Sequence, residues 1–264
     1  MDSDIAEALA RVVARLPGDG ELRHSQVEMA EAVGRAIEEK RPLVVQAGTG
    51  VGKSLGYLVP CLVLGVKTVV ATATKALQDQ LAGKDLPSVA EVDPDLTWAV
   101  LKGRSNYLCR QAALEAGRQG DAPALDLGGD SRGVGAEVAR LLAWGATTGT
   151  GDRAELDFEP RPMAWSSVSV GSDECPGAQA CPSGQACFAE AAYERARAAD
   201  VIVVNLHLLG AHVASGGYVL PEHDVLVVDE AHETEDVFAG ALGVTLTPGR
   251  VGAVARLVPG SALV

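Results

Sequence analysis

The chain has 264 residues, of which 47% are hydrophobic and only 4% aromatic, so aliphatic side chains and alanine must fill its core. A net charge of −13 argues against nonspecific coating of DNA by the whole surface. No apolar run reaches the roughly 18 residues that a membrane-spanning helix needs, and the acidic N-terminus does not fit a signal peptide. We therefore expect a cytoplasmic protein with no membrane partner.

The predicted elements alternate between helices and short apolar strands. Apolar residues at helical spacing predict one helix over 5–16 and another that ends near Lys40. Strands are predicted at 43–45, 68–71, 98–101, 201–204 and 225–228. Further helices are predicted to begin at Lys53, to contain Leu77 and Leu81, and to cover 137–144 and 187–199. This alternation predicts an α/β fold in which a parallel sheet carries helices on both faces.

A glycine-rich segment joins the first predicted strand to the helix that begins at Lys53. It reads Ala47-Gly48-Thr49-Gly50-Val51-Gly52-Lys53-Ser54. Glycines let backbone N–H groups converge on phosphate oxygens, and the following helix directs its positive end at the same phosphates. We therefore predict an ATP site in which Lys53 reaches the β- and γ-phosphates and Ser54 binds Mg²⁺. Ala47 stands where the strict motif has glycine.

Two carboxylates follow the last predicted strand directly, in the sequence Asp229-Glu230-Ala231-His232. In open α/β sheets, ligands bind outside the carboxyl ends of the strands, so both side chains are predicted to face the phosphates. Asp229 would then hold Mg²⁺, and Glu230 would orient or deprotonate the attacking water. Lys53, Asp229 and Glu230 are accordingly the predicted catalytic residues.

Together the two motifs resemble those of superfamily 2 helicases, which implies a RecA-like domain. Arg23-His24-Ser25-Gln26 resembles the element of that family whose glutamine reads adenine, which implies that Gln26 binds ATP. The sequence from Thr72 to Leu81 resembles the motif that grips the backbone of single-stranded DNA. The DNA contacts implied by that motif are Thr74, Lys75 and Gln80.

Five cysteines in a chain without an export signal favour a metal site over disulfides. Cys61 lies in an apolar run and is predicted to be a core residue. The others lie near the two ends of an irregular stretch over 103–185, and they are Cys109, Cys175, Cys181 and Cys187. Thiolates bind zinc and iron–sulfur clusters alike, although the Cys-x-x-Cys knuckles typical of structural zinc do not occur. A cluster, a zinc ion and simple buried thiols remain as alternatives.

The sequences around these cysteines resemble the four-cysteine insertion of DinG-type helicases, relatives of the xeroderma pigmentosum group D repair helicase. They are Gly103-Arg104-Ser105-Asn106-Tyr107-Leu108-Cys109, Cys175-Pro176-Gly177, Cys181-Pro182 and Cys187-Phe188. The resemblance implies a [4Fe–4S] cluster on the four cysteines and a 5′-to-3′ helicase acting on single-stranded or forked DNA in repair. The basic stretch from Lys102 to Arg110 predicts further DNA contacts by Arg104 and Arg110.

This resemblance divides the chain into four predicted parts. Residues 1–102 begin the RecA-like ATP-binding domain, 103–190 form the small iron–sulfur insertion, 191–240 complete the domain, and 241–264 begin a truncated helical insertion. A superfamily 2 motor needs a second RecA-like domain, whose arginine motif does not occur after Asp229. We therefore expect binding of Mg-ATP without unwinding. A non-catalytic nucleotide- or DNA-binding module and a P-loop ATPase with structural zinc remain as alternatives.

Overall fold

The computed structural model describes residues 2–16, 21–48, 51–120 and 131–243. Its strands are β1 (Thr68–Thr72), β2 (Trp98–Val100), β3 (Val201–Asn205) and β4 (Val225–Val228). Its helices are α1 (Asp2–Val13), α2 (His24–Glu38), α3 (Lys53–Val63), α4 (Lys75–Gln80), α5 (Leu86–Ala90), α6 (Arg110–Gly120), α7 (Ser131–Gly145), α8 (Pro162–Ser166), α9 (Phe188–Ala198), α10 (Leu206–Ala214) and α11 (Thr234–Leu242). A π-helical turn, Leu81–Asp85, joins α4 to α5. None of these helices is both long and apolar enough to cross a membrane.

The four strands form one parallel sheet in the order β2-β3-β1-β4. Val70 at the centre of β1 pairs with Val203 on one side and with Val227 on the other. The strands consist largely of valine and isoleucine, as is typical of parallel strands that are covered on both faces. Four of the five predicted strands are thereby confirmed, and the architecture is consistent with a RecA-like fold.

Successive side chains of the strands point to opposite faces of the sheet and belong to two separate hydrophobic cores. On one face, Val70 and Val203 pack with Leu58 of α3 and with α1 and α2. On the other face, Val69 and Ile202 pack with residues of α7, α8, α9 and α10. The prediction of helices on both faces is confirmed. Cys61 is fully buried in α3, as predicted, and burial raises the pKa of its thiol to about 11.

The strand predicted over 43–45 does not form, and that prediction was wrong. The segment has no strand conformation, and the side chains of Val44 and Val45 are 95% and 41% exposed. A groove separates the segment from β4, where Leu226 is also 43% exposed. A strand is stabilised by ladder hydrogen bonds to a neighbour. No strand of the described ranges pairs with residues 43–45 or with the outer edge of β4.

The cysteine-bearing stretch connects two adjacent strands of the sheet. The chain leaves the sheet after β2 and returns to it in β3, which lies beside β2. The helix predicted over 137–144 is confirmed as part of α7. Helices α6 and α8 were not predicted, so this stretch is more ordered than its glycine- and proline-rich composition indicates. The boundaries at 103 and 190 stay a prediction.

Candidate nucleotide and cysteine sites

The two predicted catalytic carboxylates lie at the carboxyl end of β4, beside the beginning of α3. The Asp229 N–H donates to the carbonyl oxygen of Ala71 at 2.9 Å, which continues the sheet ladder past the last strand residue. The next residue, Glu230, has a φ of +57°, a left-handed conformation that is rare outside glycine. Its N–H donates to Asp229 Oδ1 at 3.1 Å. Backbone strain of this kind is concentrated at functional sites.

Lys53 contacts Glu230 directly, although 177 positions separate the two residues in the chain. Lys53 Nζ lies 2.8 Å from Glu230 Oε1, and the two side chains are 26% and 30% exposed. The hydrogen bond to Glu230 raises the pKa of Lys53, and the same bond lowers the pKa of Glu230. Both groups are thus held in their charged forms. The predicted phosphate-binding cation and the predicted general base form one polar centre.

Asp229 is held by a residue that the sequence did not reveal. The Tyr57 hydroxyl donates to Asp229 Oδ2 at 3.3 Å, and only 3% of Tyr57 is exposed. Burial above all, and then the charge of Asp229, raises the pKa of Tyr57, which keeps the phenol protonated as a donor. The one available signal was that Tyr57 lies one helical turn after Lys53 and therefore on the same face of α3.

Gln26 is buried against the end of the glycine-rich loop. Gly52 has a φ of +80°, and its carbonyl oxygen accepts a 3.0 Å hydrogen bond from Gln26 Nε2. A Cβ atom at position 52 would lie 2.3 Å from that nitrogen, so this contact and the positive φ together favour glycine here. Gln26 therefore supports the loop conformation. Its predicted contact with adenine stays a prediction.

A groove of about 1010 Å³ lies between residues 42–47 and β4. Lys53, Tyr57, Asp229 and Glu230 line the groove together with Ala47. A Cβ atom on Gly48 would meet nothing within 4 Å, so the backbone there is open to a ligand. Ser54 lies in the first turn of α3, and Val51 precedes Gly52. Thr49 and Gly50, which are also predicted to bind phosphate, lie outside the described residues.

The residues predicted to grip DNA lie near the carboxyl end of β1. Thr74 caps α4 by accepting a 3.2 Å hydrogen bond from the N–H of Leu77. Lys75 lines a second, polar cleft of about 690 Å³ together with Lys102, Asn106 and Asn205. Gln80 donates to Asp85 at 3.3 Å on the exposed side of the same helical segment. Thr74 and Lys75 thus share one edge of the sheet, and their contact with DNA stays a prediction.

The four predicted ligand cysteines are half-buried, and none of them forms a disulfide. Cys109 immediately precedes α6, and Cys187 is the N-cap residue of α9. Burial raises the pKa of Cys109, the backbone N–H groups of Gln111 and Ala112 oppose that rise, and charge on Cys181 and Cys187 adds to it. These three thiols therefore share one neighbourhood.

The environment of Arg104 connects the fourth thiol to this neighbourhood. Burial lowers the pKa of Arg104, but the paired Glu190 and the charges of Cys175 and Cys187 raise it on balance. Arg104 thus lies close to both cysteines. In the parts of the chain that the structure describes, no three His, Cys, Asp or Glu side chains are placed to hold a single metal ion.

Comparison with known proteins identifies the family, although no family model matches the chain. The ATP-dependent helicase DinG of Mycobacterium tuberculosis is 41% identical over 269 residues, which cover 96% of this chain and 40% of the relative. Over nearly its whole length, the chain is therefore related to part of the DinG-type helicases. The ATP-dependent DNA helicase YoaA of Escherichia coli is 40% identical over 232 residues, covering 85% of this chain and 35% of that relative. The 3'-5' exonuclease DinG of Bacillus subtilis is 30% identical over 229 residues, covering 84% of this chain and 24% of that relative.

The match confirms the resemblance to DinG-type helicases, which was based on the glycine-rich loop, Asp229-Glu230 and the cysteine sequences. The chain spans only 40% of the length of the mycobacterial DinG relative, so its similarity describes part of such a protein. The names of the relatives do not address the individual site residues or the cysteines.

Proposed function

We propose that the chain is the ATP-binding motor domain of a cytoplasmic, ATP-dependent DNA helicase. The observation that carries this proposal is the 2.8 Å contact of Lys53 with Glu230, which brings the glycine-rich loop and the carboxylate pair to one site. The relatives named ATP-dependent helicases support the same activity. Lys53 would bind the β- and γ-phosphates, and Ser54 and Asp229 would hold Mg²⁺.

We infer that Lys53 exchanges hydrogen-bond partners when ATP binds. Lys53 can donate to phosphate oxygens only as it gives up part of its contact with Glu230. Glu230 would then be free to accept a proton from the attacking water, while the hydrogen bond from Tyr57 would hold the carboxylate of Asp229 in place. Binding of the phosphates would thereby prepare the general base.

Glu230→Gln is expected to strengthen Mg-ATP binding by up to about 5-fold, because it removes the carboxylate that competes with phosphate for Lys53. The measurement is titration of the chain with a fluorescent ATP analogue in the presence of Mg²⁺. Glu233→Gln, in the following turn, is the matched control and should leave the affinity unchanged. Weaker binding by Glu230→Gln would contradict the exchange of partners.

We also propose single-stranded or forked DNA as the partner, with 5′-to-3′ translocation and a role in DNA repair. Support comes from the family and from the position of Thr74 and Lys75 at the carboxyl edge of β1, with Gln80 further along the same segment. The relatives are more than twice as long as this chain, which leaves room for a second RecA-like domain that completes the motor. The isolated chain is therefore expected to bind nucleotide and single strands without unwinding.

The test measures Mg-ATP binding, single-strand binding and unwinding on the same preparation. Binding of both ligands without strand separation is the expected result. Robust unwinding by these 264 residues would show that no second motor domain is required. Failure to bind Mg-ATP would overturn the proposed motor function.

We propose that Cys109, Cys175, Cys181 and Cys187 hold a [4Fe–4S] cluster, within an insertion over 103–190 between the two parts of the ATP-binding domain. The donor set fits, because all four are free, half-buried thiols, and cysteine sulfur is the ligand of such clusters. A bound cluster would connect the four cysteine segments. Of the predicted final part over 241–264, residues 244–264 lie outside the described residues.

Iron and labile-sulfide analysis of protein purified without oxygen tests this proposal. We expect about four irons per chain and a visible absorption band, both lost in Cys181→Ser. Zinc in place of iron would indicate a P-loop ATPase with a structural zinc site. A chain without any metal would leave the four cysteines as simple buried thiols.

A further inference from the structure

Two basic residues near the first cysteine contact α9, the helix that begins after the last cysteine. Arg104 Nη2 forms an ion pair with Glu190 Oε1, and the two side chains are only 31% and 25% exposed. The guanidinium of Arg110 lies over the ring of Phe188, 4.0 Å from its centroid. Arg110 directly follows Cys109, and Phe188 directly follows Cys187. Each contact therefore joins the segment of the first cysteine to the segment of the fourth.

The Phe188 ring is confined by its neighbours. Only 4% of Phe188 is exposed, and a Cβ atom added to Gly151 would lie 2.4 Å from Phe188 Cδ2. Gly151 has a φ of +65°, so its backbone comes close to the ring in a conformation that favours glycine. Arg110 covers the ring as well. A ring fixed in this way gives the guanidinium a rigid surface to stack on.

Further contacts connect the same parts of the chain. Ser183 Oγ donates to Gln111 Oε1 at 3.0 Å, which joins the loop between Cys181 and Cys187 to the first turn of α6. The N–H of Cys109 donates to the carbonyl oxygen of Val168 at 2.8 Å, which fixes the first cysteine from another side. The Arg110 Nε atom is buried and has no hydrogen-bond partner among the described residues. That N–H group is therefore turned away from any solvent-borne phosphate.

We propose that Arg104, Arg110 and Phe188 form a brace that holds the Cys109 segment against the Cys187 segment, so that the thiols stand in position for their metal. The inference rests on the proposed cysteine site, and it assigns the two arginines as positioning residues in place of DNA contacts.

The variants Arg110→Ala and Phe188→Leu distinguish a positioning role of Arg110 from a direct contact with DNA. Both variants break the stacked pair, but Phe188→Leu leaves every positive charge in place. The brace predicts that both variants release iron to a chelator about 10-fold faster than the unmodified protein. Single-strand affinity should fall only in proportion to the iron that is lost. Arg118→Ala, which removes a cation further along α6, should change neither quantity.

Measurements on the metal-free chain test the brace independently of the cluster. In the metal-free chain, Cys109 should react with iodoacetamide severalfold faster in both variants, as followed by mass spectrometry against buried Cys61. Mg-ATP binding verifies that the variants are folded. If the unmodified protein contains no iron, the proposed cluster is refuted. The alkylation rates of Cys109 still test the brace in that case. The brace is overturned if Arg110→Ala weakens DNA binding and Phe188→Leu does not, with iron release and Cys109 alkylation unchanged in both.

Discussion

Lys53→Ala is expected to weaken Mg-ATP binding by roughly 10- to 100-fold, the equivalent of a hydrogen bond to a charged partner. Lys53 is the first residue of α3, and its ammonium group lies in the groove where the phosphates would bind. Alanine keeps the helix and removes only the cation. The measurement is titration with a fluorescent ATP analogue in the presence of Mg²⁺, with the melting temperature recorded to show that the fold is retained.

The matched control for this substitution is Lys84→Ala, in the exposed turn between α4 and α5. It removes the same charge from the protein but lies away from the groove, so its nucleotide affinity should equal that of the unmodified chain. Equal affinities for all three proteins would contradict the assignment of the glycine-rich loop as the phosphate site. Equal losses in both variants would indicate that net charge, and not the position of Lys53, determines binding.

The geometry of the proposed nucleotide site could be predicted because its residues lie in short, contiguous segments. A glycine-rich loop before a helix and a carboxylate pair after a strand are each local patterns, and a parallel sheet brings their ends to one edge. The contact of Lys53 with Glu230 follows from these patterns. The support of Asp229 by Tyr57 does not, because a tyrosine in an apolar helix has the same pattern as any core residue.

The contacts around the cysteines, in contrast, could not be predicted from the sequence. Cys109 and Cys187 stand out in the sequence, but the partners of Arg104 and Arg110 lie 86 and 78 positions away in the chain. A basic stretch looks the same whether it faces DNA or packs against a helix, so composition alone favoured the DNA contacts. Helix α6 was missed because its sequence is polar, with a single leucine, Leu114, that is 55% exposed. The partners of the two arginines and the packing of α6 both depend on contacts between segments that are far apart in the sequence.

A matched pair of substitutions tests the strand that was predicted over 43–45. The substitution at the buried position has the second large expected effect, a loss of stability. Val70→Ala removes two buried carbons from the central strand β1 and should lower the free energy of unfolding by about 2–3 kcal/mol. Val44→Ala makes the same chemical change at a side chain that is 95% exposed. It should alter the free energy of unfolding by less than about 0.5 kcal/mol. Urea denaturation followed by circular dichroism measures both.

The comparison distinguishes a paired strand from an unpaired apolar segment. Three consecutive apolar residues before a glycine-rich loop have the sequence of a buried strand, but pairing requires a neighbour with free backbone groups. The exposed outer edge of β4 lies across the groove from Val45. If Val44→Ala destabilises the chain as much as Val70→Ala, residues 43–45 are packed in the sheet in solution, and the sequence-based strand prediction was correct. A negligible effect of Val44→Ala would support the exposed position of the segment, which pairs with none of the described strands.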